Sequence, residues 1–414
     1  MKLLPPLVAR ARVHAGRFPP PFWLLVGVGA IRELGSGVFI PYWALYLTET
    51  LGASGAQAGA LLGLAGAMGL IGAPLGGILT DRVGRRPTLL VGLAGGAFGF
   101  VAYGTLSNLL AVAVVTSLFG FSSDLESPAV SAAIADVVEP ELRTEAFALR
   151  QQANNLAFAA GPPLGALMIL LLPLRSVFLF AGAAAAAGFV VVWRRFAETR
   201  PLAAAGERPR FRTALRDRRL LALAAGSGIS VAVYAVFDGA LGPFLHRDRG
   251  YALSTWGLLF TLNPIVIGLG QYPLARWAGR RSPRAMLALG IVVQGIALLL
   301  IAPFDAVGVV IASILLLTVG EMLLAPISAA LAVSLAPVHL RGSYEGVLDI
   351  AFAAMWAPGV FGGLWLVGAG HGELMLALCL PVATVGALFF LPLPRRPVPV
   401  EEALPVPAEA AAIP

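Results

Sequence analysis

Residues 76–87, with the sequence GGILTDRVGRRP, decide how the rest of the chain is interpreted. A long apolar run ends at the first two glycines, and one acid and three arginines then form a short polar corner before a second apolar run begins. A helix of about 20 apolar residues crosses the ~30 Å hydrocarbon layer of a membrane. The corner is therefore predicted to join two membrane-spanning helices.

The composition extends this interpretation to the whole chain. Of the 414 residues, 58% are hydrophobic and only 12% are charged, with a mean hydropathy of +0.85, whereas a soluble protein has about 25% charged residues. Exposed backbone groups cannot remain unpaired in lipid, and long unbroken apolar runs favour helices over a barrel. Twelve membrane helices are predicted, at 22–47, 55–80, 88–106, 109–137, 144–172, 175–197, 218–245, 253–278, 284–303, 306–335, 342–368 and 372–393.

The distribution of charge predicts the orientation. If the N-terminus is cytoplasmic, the 29 Lys and Arg residues fall at cytoplasmic ends apart from Arg32, Arg175, Arg247 and Arg249, as the positive-inside rule requires. The net charge of +7 is thus explained by topology, and no nucleic-acid partner is expected. We expect a multi-pass protein of a bacterial inner membrane, monomeric, with both termini in the cytoplasm.

An internal repeat divides the chain into halves. The corner recurs in altered form in the second half, and three separate stretches agree on offsets of 195 to 198 residues, as expected for duplicated bundles. The matched pairs are Gly84 and Gly279, Arg85 and Arg280, Arg86 and Arg281, Asp124 and Glu321, Pro128 and Pro326, and Pro162 and Pro358, with Arg276 in place of Asp81. The predicted segments are a cytoplasmic lead (1–21), an N-terminal six-helix bundle (22–197), a basic linker (198–217), a C-terminal six-helix bundle (218–393) and a disordered tail (394–414).

The corner resembles the signature loop of the major facilitator superfamily, and residues 20–393 resemble its drug:proton antiporter-1 branch. The matching positions are Gly77, Asp81, Arg82, Gly84, Arg85 and Arg86. The resemblance implies an all-α membrane fold of two pseudo-symmetric six-helix bundles, with helices 1, 4, 7 and 10 around a central cavity. It also implies that the loop locks the outward-facing state, with Asp81 near the start of helix 11 and Arg85 on Asp136.

Several ionisable residues fall near the middle of predicted spans. Such residues are costly in a membrane and are functional candidates, and an isolated buried carboxylate avoids its desolvation cost by taking up a proton. Asp124 and Glu321 are the first choices because the repeat places them at matching depths. Some of these acids could instead bond only to backbone or hydroxyl groups. The ionisable residues near the middle of spans are Arg32, Glu33, Asp124, Glu126, Asp238, Glu321 and Asp349. The resemblance implies that Glu33, Asp124 or Glu126, Asp238 and Glu321 surround one space, and Arg32 and all of these acids except Asp349 are candidates for the proton and substrate cavity.

Helices 1 and 4 carry a specific hypothesis. Many antiporters of the branch have an Arg on helix 4, where this chain has Thr116. We expect Arg32 to supply that cation by pairing with Asp124 or Glu126. Adjacent helical residues point about 100° apart, so Arg32 and Glu33 are expected to have different partners.

Helix 5 contains Gly161, Pro162 and Gly165, which resemble the core of the antiporter motif. Ala148 and Ala157 occupy the places of its upstream glycines, so the motif is partial. A proline kink without significance for antiport is the alternative interpretation.

The leading functional hypothesis is proton-coupled export of lipophilic, cationic small molecules by alternating access. Arg32 is the one cation expected near the membrane centre, which argues against anionic cargo. The alternatives are a transporter for a specific metabolite, sugar or lipid, and a non-transporting sensor or scaffold. No zinc spacing, phosphate-binding glycine loop or nucleophilic triad is present in the sequence, so no enzyme activity, cofactor or metal is predicted. Aromatic residues that suit flat cations, or that serve only as packing, are Phe39, Tyr42, Tyr234, Phe237 and Trp356.

Overall fold

The computed structural model describes residues 17–139, 142–200, 214–337 and 340–395. Within these ranges the helices are α1 (Pro20–Thr50), α2 (Gly55–Arg82), α3 (Arg85–Thr105), α4 (Leu109–Val137), α5 (Arg143–Leu171), α6 (Ser176–Arg195), α7 (Arg218–Arg247), α8 (Leu253–Ala278), α9 (Pro283–Ile301), α10 (Val307–Leu335), α11 (Arg341–Gly368) and α12 (Gly372–Leu388). Eleven of these are long and apolar enough to span a membrane, and α12 is an apolar helix of 17 residues. The predicted all-helical membrane fold is confirmed. Most of the predicted lead, linker and tail lies outside the described residues.

Polar residues fix where several spans begin. The first amides of a helix lack an intrahelical partner, so a side-chain acceptor at the start stabilises the first turn. Ser54 and Gln57 form a reciprocal capping box at α2, with N to O distances of 2.9 and 3.2 Å. Asn108 and Asp217 cap α4 and α7 through their side-chain oxygens. These caps set the register in which each apolar run enters the bilayer.

Each half packs its helices according to the same plan. In the N-terminal half α1 packs on α5 and α6, α4 packs on α2 and α3, and α3 also packs on α6. The C-terminal half repeats these pairs, with α7 on α11 and α12, α10 on α8 and α9, and α9 on α12. The two bundles are therefore pseudo-symmetric, as the repeat predicts.

The halves meet mainly through α2 with α11 and α5 with α8. At the start of α2, Gly55 lies against the backbone of Leu364 and Gly368, where no side chain would fit. The indole Nε1 of Trp256 on α8 donates to the carbonyl of Pro41 on α1 at 2.8 Å. These contacts lie at the end of the molecule away from the 76–87 corner, which we call the far end; the end with the corner is the loop end. The far end is closed.

The loop end has a different arrangement. Glycines of α2 before residue 67 touch α11, whereas Gly69, Gly72 and Gly76 touch α4, and Gly77 faces open space. The Asp81 side chain is 74% exposed and, among the described residues, forms an ion pair only with Arg85, at 3.8 Å. The resemblance implies an Asp81 placed near the start of α11 in the outward-facing state. Among the described residues no ion pair joins Asp81 to α11, and the lock itself stays a prediction.

Helices α1 and α7 change their winding near the far end. In α1 a 3-10 turn at Ile40–Tyr42 precedes a π turn at Tyr46–Thr50, and in α7 a π turn occupies Val236–Ala240. Pro41 has no amide hydrogen, which favours a break in the regular helix. The Ile40–Tyr42 and Val236–Ala240 turns contact each other across the two halves. Isolated π turns often mark functional sites.

Candidate functional site

The C-terminal half gathers two acids next to the interface between the halves. Asp238 lies within the π turn of α7, and its Oδ2 accepts a hydrogen bond from Trp356 Nε1 on α11 at 3.2 Å. Glu321 on α10 accepts a hydrogen bond from Asn263 Nδ2 on α8 at 2.7 Å. Tyr234, one turn before Asp238, lies beside Glu321. We call these five residues the acidic cluster.

No cation balances the acidic cluster in the described part of the chain. Neither Asp238 nor Glu321 forms an ion pair with a described residue, and their partners are an indole and an amide. Asn263 is buried and also donates to Thr318 at 3.1 Å, so its orientation is fixed from two sides. Uncompensated carboxylates at this depth are costly and can bind a proton or a cation without first separating an ion pair.

Trp356 connects the acidic cluster to the other half. Its ring lies about 3.4 Å from the space that a side chain at Gly66 on α2 would occupy. Trp356 therefore touches the N-terminal half while it donates to Asp238. Of the other aromatic candidates, Phe39, Tyr42 and Phe237 are fully buried in packing contacts. For these three residues the structure favours packing over contact with a cationic substrate.

The N-terminal half arranges its charges differently. Arg32 on α1 forms an ion pair with Glu126 on α4, with 2.7 Å between Nε and Oε1. Of the two acids expected to pair with Arg32, the structure selects Glu126. Asp124 is exposed and lies against Gly69 of α2.

The expectation of different partners for Arg32 and Glu33 is wrong. Arg32 also forms an ion pair with Glu33, because the long arginine side chain bends back to its neighbour. Asp349, the remaining central acid, is exposed on α11 one turn from Glu345. The charged residues predicted around one cavity thus fall into separate groups within the two halves.

Two cavities lie on either side of the Arg32–Glu126 ion pair. One of about 40 Å³ contacts Ser36 and Ser123, and one of about 20 Å³ contacts Arg150 and Asn154. Each is large enough for at least one water molecule. The ion pair therefore lies within the N-terminal bundle, between α1, α3, α4 and α5.

Arg150 is a second cation that the sequence interpretation placed at the membrane surface. It lies on α5 beside the smaller cavity, within electrostatic range of Arg32 and Glu126. Its Nε and the Oδ1 of the buried Asn154 have no hydrogen-bond partner among the described residues. Arg150 thus borders the same cavity as Arg32, although it lies near the start of the apolar span Leu149–Leu171. The available signal was the position of Arg150 inside the predicted span 144–172, with Asn154 one turn later.

The 76–87 corner is held by a network on the N-terminal half. Arg85 Nε lies 2.7 Å from Asp136 Oδ2 at the end of α4, which agrees with the pairing that the resemblance implies. Arg85 Nη1 also donates to the carbonyl of Thr80 at 3.1 Å. Arg86 Nη2 donates to the carbonyl of Trp193 at 2.6 Å, near the end of α6. The loop thus fastens α2, α3, α4 and α6 together.

Glu198, assigned from the sequence to the linker, completes this network. Its carboxylate accepts from the backbone amides of Arg85 and Arg86, at 2.9 and 3.1 Å, at the start of α3. The Arg200 side chain donates to the carbonyl of Arg82 at 2.6 Å. Partial burial opposes ionisation of Glu198, but its hydrogen bonds to backbone amides outweigh this and hold its pKa below the ordinary value. Glu198 is more than 100 residues from the start of α3 in the sequence, so no local sequence pattern could predict this contact.

Gly84 is required at the start of α3 for two reasons. Its φ of +126° is strained for residues with side chains. The Glu198 carboxylate also occupies the space into which a side chain at this position would project. Because Gly84 has no side chain, the Glu198 carboxylate can reach the amides at the start of α3.

The antiporter-like motif on α5 forms a close helix crossing. Gly161 packs against the backbone of Gly37 on α1, and Gly165 approaches Val38 and Tyr42. Glycines at these positions let α1 and α5 approach closely. Pro162 lies within α5 without ending the helix. The geometry explains a packing role for both glycines, and their importance for antiport stays a prediction.

No group of three or more His, Cys, Asp or Glu side chains in the described ranges is arranged to hold a metal ion. The described site offers carboxylates, arginines, amides and aromatic rings.

The chain resembles known transporters in sequence and in fold. The profile of the Major Facilitator Superfamily matches residues 25–237 and 223–412. The uncharacterised MFS-type transporter YqjV of Bacillus subtilis is 26% identical over 89% of this chain and 92% of its own length. The multidrug resistance protein MdtH of Klebsiella pneumoniae is 25% identical, with 92% and 94% coverage.

Solved structures give the same fold at lower sequence identity. A POT family transporter crystallised with 5-aminolevulinic acid has a TM-score of 0.76 at 16% identity, covering 90% of this chain and 96% of its own. The nucleoside transporter NupG has a TM-score of 0.76 at 13% identity, with 90% and 99% coverage. The repeat, the helix packing, the loop network and the profile matches lead to one conclusion: the chain belongs to the Major Facilitator Superfamily of transporters.

Proposed function

We propose that the protein exports lipophilic cationic small molecules in exchange for protons. The observation that carries this proposal is the acidic cluster, in which Asp238 and Glu321 lie next to aromatic rings and lack a cationic partner among the described residues. A cation bound there neutralises the carboxylates, and so do protons. Competition between the two for the same carboxylates is the basis of exchange.

The surroundings of the acids suit an apolar cation. Tyr234 and Trp356 supply aromatic faces that attract cations when water is excluded. The amide of Asn263 holds Glu321 in a defined position, so the cation meets a preorganised acceptor. Trp356 lies against α2 as well, so a ligand that moves this ring also disturbs the contact between the halves. Binding and the relative movement of the halves are thereby linked.

The relatives support the direction of this proposal. Several of them, including the Klebsiella pneumoniae protein, are named multidrug resistance proteins and match the chain over most of its length. The pattern of positive charge supports a bacterial inner-membrane location with cytoplasmic termini. In that orientation the closed far end faces outward.

The test is proton-coupled flux in proteoliposomes with an imposed pH gradient and an internal pH-sensitive dye. A panel of cationic dyes should dissipate the gradient in vesicles containing the protein. The double variant Asp238→Asn/Glu321→Gln should reduce this flux to the level of empty vesicles. The matched control is Glu345→Gln, which removes an exposed acid from α11 and should preserve the flux. The proposal fails if no cation in the panel moves protons, or if the control loses as much flux as the double variant.

A second candidate is transport of a specific anionic or zwitterionic metabolite. Arg150 favours it, because its side chain borders the smaller cavity and its Nε has no hydrogen-bond partner among the described residues. An anionic metabolite that stabilises the purified protein against heat, with no stabilisation by cationic dyes, would select this candidate. The variant Arg150→Gln should then remove the stabilisation.

A further inference from the structure

The second copy of the signature loop forms a groove at the loop end of α8. Arg276, Trp277, Arg280 and Arg281, together with Pro273, line an open space of about 680 Å³. Arg276, Trp277, Arg280 and Arg281 are exposed. Three arginines and no acid make this groove an attractive position for a negative charge.

Two arginines of this groove lack the side-chain partners that hold the arginines of the first copy. Arg85 is engaged by Asp136, and Arg86 by the end of α6. Among the described residues, by contrast, neither Arg276 nor Arg280 has a hydrogen-bond or ion-pair partner. The replacement of an acid by Arg276 also removes the one negative charge that the repeat would place there.

The groove continues an apolar face of α8. Leu258, Ile265 and Leu269 are 57%, 44% and 80% exposed, and they follow one another at intervals of seven and four residues. Arg276 continues the same series seven residues later, so the helix places these four residues on one side, and Arg280 follows in the turn just after α8 ends at Ala278. Apolar side chains along the span and arginines at its end match the acyl chains and headgroup of a lipid.

Trp277 fixes the depth of the groove. Indoles prefer the boundary between hydrocarbon and headgroups, and the Trp277 ring is 44% exposed. The Arg281 guanidinium lies over this ring, 4.1 Å from its centroid. This stacking leaves the N–H groups at the edge of the guanidinium available to donate two hydrogen bonds to an oxyanion. The arginines are therefore at the level of lipid phosphates.

We propose that this groove binds the headgroup phosphate of an anionic phospholipid, with the acyl chains along the exposed face of α8. Basic clusters next to a membrane helix bind anionic lipids with about 1 kcal/mol per arginine. The degenerate copy of the signature loop is thus a lipid site rather than a gating lock. This inference does not depend on the transported cargo.

The test is a lipid titration of the purified full-length protein, followed by native mass spectrometry. Phosphatidylglycerol should bind more tightly than phosphatidylethanolamine, and added salt should weaken its binding. The variant Arg276→Gln/Arg280→Gln should bind phosphatidylglycerol about 30-fold more weakly, from the loss of two arginine contributions. Its control is Arg218→Gln/Arg219→Gln, which removes the same charge from exposed positions at the start of α7 and should bind normally.

Three outcomes would overturn the proposal. The first is equal affinity for the two lipids, and the second is equal loss in the two double variants. The third is displacement of the lipid by inorganic phosphate at the same concentration, which would identify a site for soluble anions. Thermal unfolding of both variants, expected to match the parent, shows that they are folded.

Discussion

In the N-terminal half the buried acid Glu126 is held by Arg32, whereas in the C-terminal half Glu321 is held by the amide of Asn263. Glu126 lies on α4 and Glu321 lies on α10, and these two helices occupy equivalent positions in the two halves. One is neutralised by a permanent cation inside its bundle. The other is left with neutral donors next to the interface between the halves.

The difference shows that the two halves of a duplicated fold can share helix packing and still hold their buried acids in different ways. An ion pair inside one bundle joins α1 to α4 and resists change, because separating it exposes charge to a low-dielectric surrounding. A carboxylate held by an amide keeps its position while its charge is free to change. We therefore expect the N-terminal group to govern stability and the C-terminal group to govern transport.

The largest expected effect comes from Glu126→Gln. Removal of Glu126 breaks the buried ion pair between α1 and α4 and leaves Arg32 with only Glu33 on its own helix, so unfolding should require about 3 kcal/mol less. Glu321→Gln should cost less than about 1 kcal/mol, since an amide replaces an acid that has no cationic partner. Thermal unfolding in detergent measures both. Similar losses in the two variants would remove the distinction between the halves.

Asn263→Leu should have the next largest effect. The change leaves Glu321 and Thr318 without their shared donor, which should cost about 2 kcal/mol and abolish dye transport. Gln271→Leu is the matched control, because Gln271 also joins α8 to α10 but donates to the carbonyl of Met322. Transport that survives in Asn263→Leu would show that Glu321 needs no orienting partner.

Trp356→Phe should have a smaller effect. It keeps a ring against α2 but removes the hydrogen bond to Asp238, at a cost of about 1 kcal/mol. Dye binding, measured by fluorescence titration, should weaken while the protein remains folded. Trp365→Phe on the same helix changes an exposed ring and serves as the control. Equal affinities in the two variants would contradict a role for the indole N–H.

Glu198→Gln should have the smallest effect and the clearest dependence on pH. The pKa of Glu198 is lower in the folded protein, so its stabilisation is present above about pH 4.5, the ordinary glutamate value, and is lost as the pH falls through the folded value. Because the carboxylate is exposed, we expect a loss of about 0.5 kcal/mol at pH 7 and less at pH 4. Melting temperatures at the two pH values measure this. An equal difference at both would exclude a charge effect.

Much of the fold could be predicted from the sequence, because a membrane imposes a minimum length on every apolar helix. The family resemblance placed Arg85 against Asp136, and the internal repeat aligned Asp124 with Glu321. Helix ends were less certain, and α12 ends at Leu388 rather than at residue 393.

Contacts over long sequence distances were not predictable in this way. Glu198 caps α3 from a position more than 100 residues away, and no local pattern connects them. Arg150 seemed to belong to the membrane surface because its helix starts nearby, although its side chain lies beside a cavity. The partner of Arg32 depended on the rotation of α4, which places Glu126 toward α1 and Asp124 toward α2.

The irregular turns of α1 and α7 occupy equivalent repeat positions. Ile40–Tyr42 and Val236–Ala240 begin 196 residues apart, yet the first is wound more tightly than an α-helix and the second more loosely. The π turn of α1 comes only later, at Tyr46–Thr50, so the two helices differ in where their winding loosens. Symmetry therefore stops being a guide to which side chains of α1 and α7 face each other at the far end, and each helix must be mapped separately there.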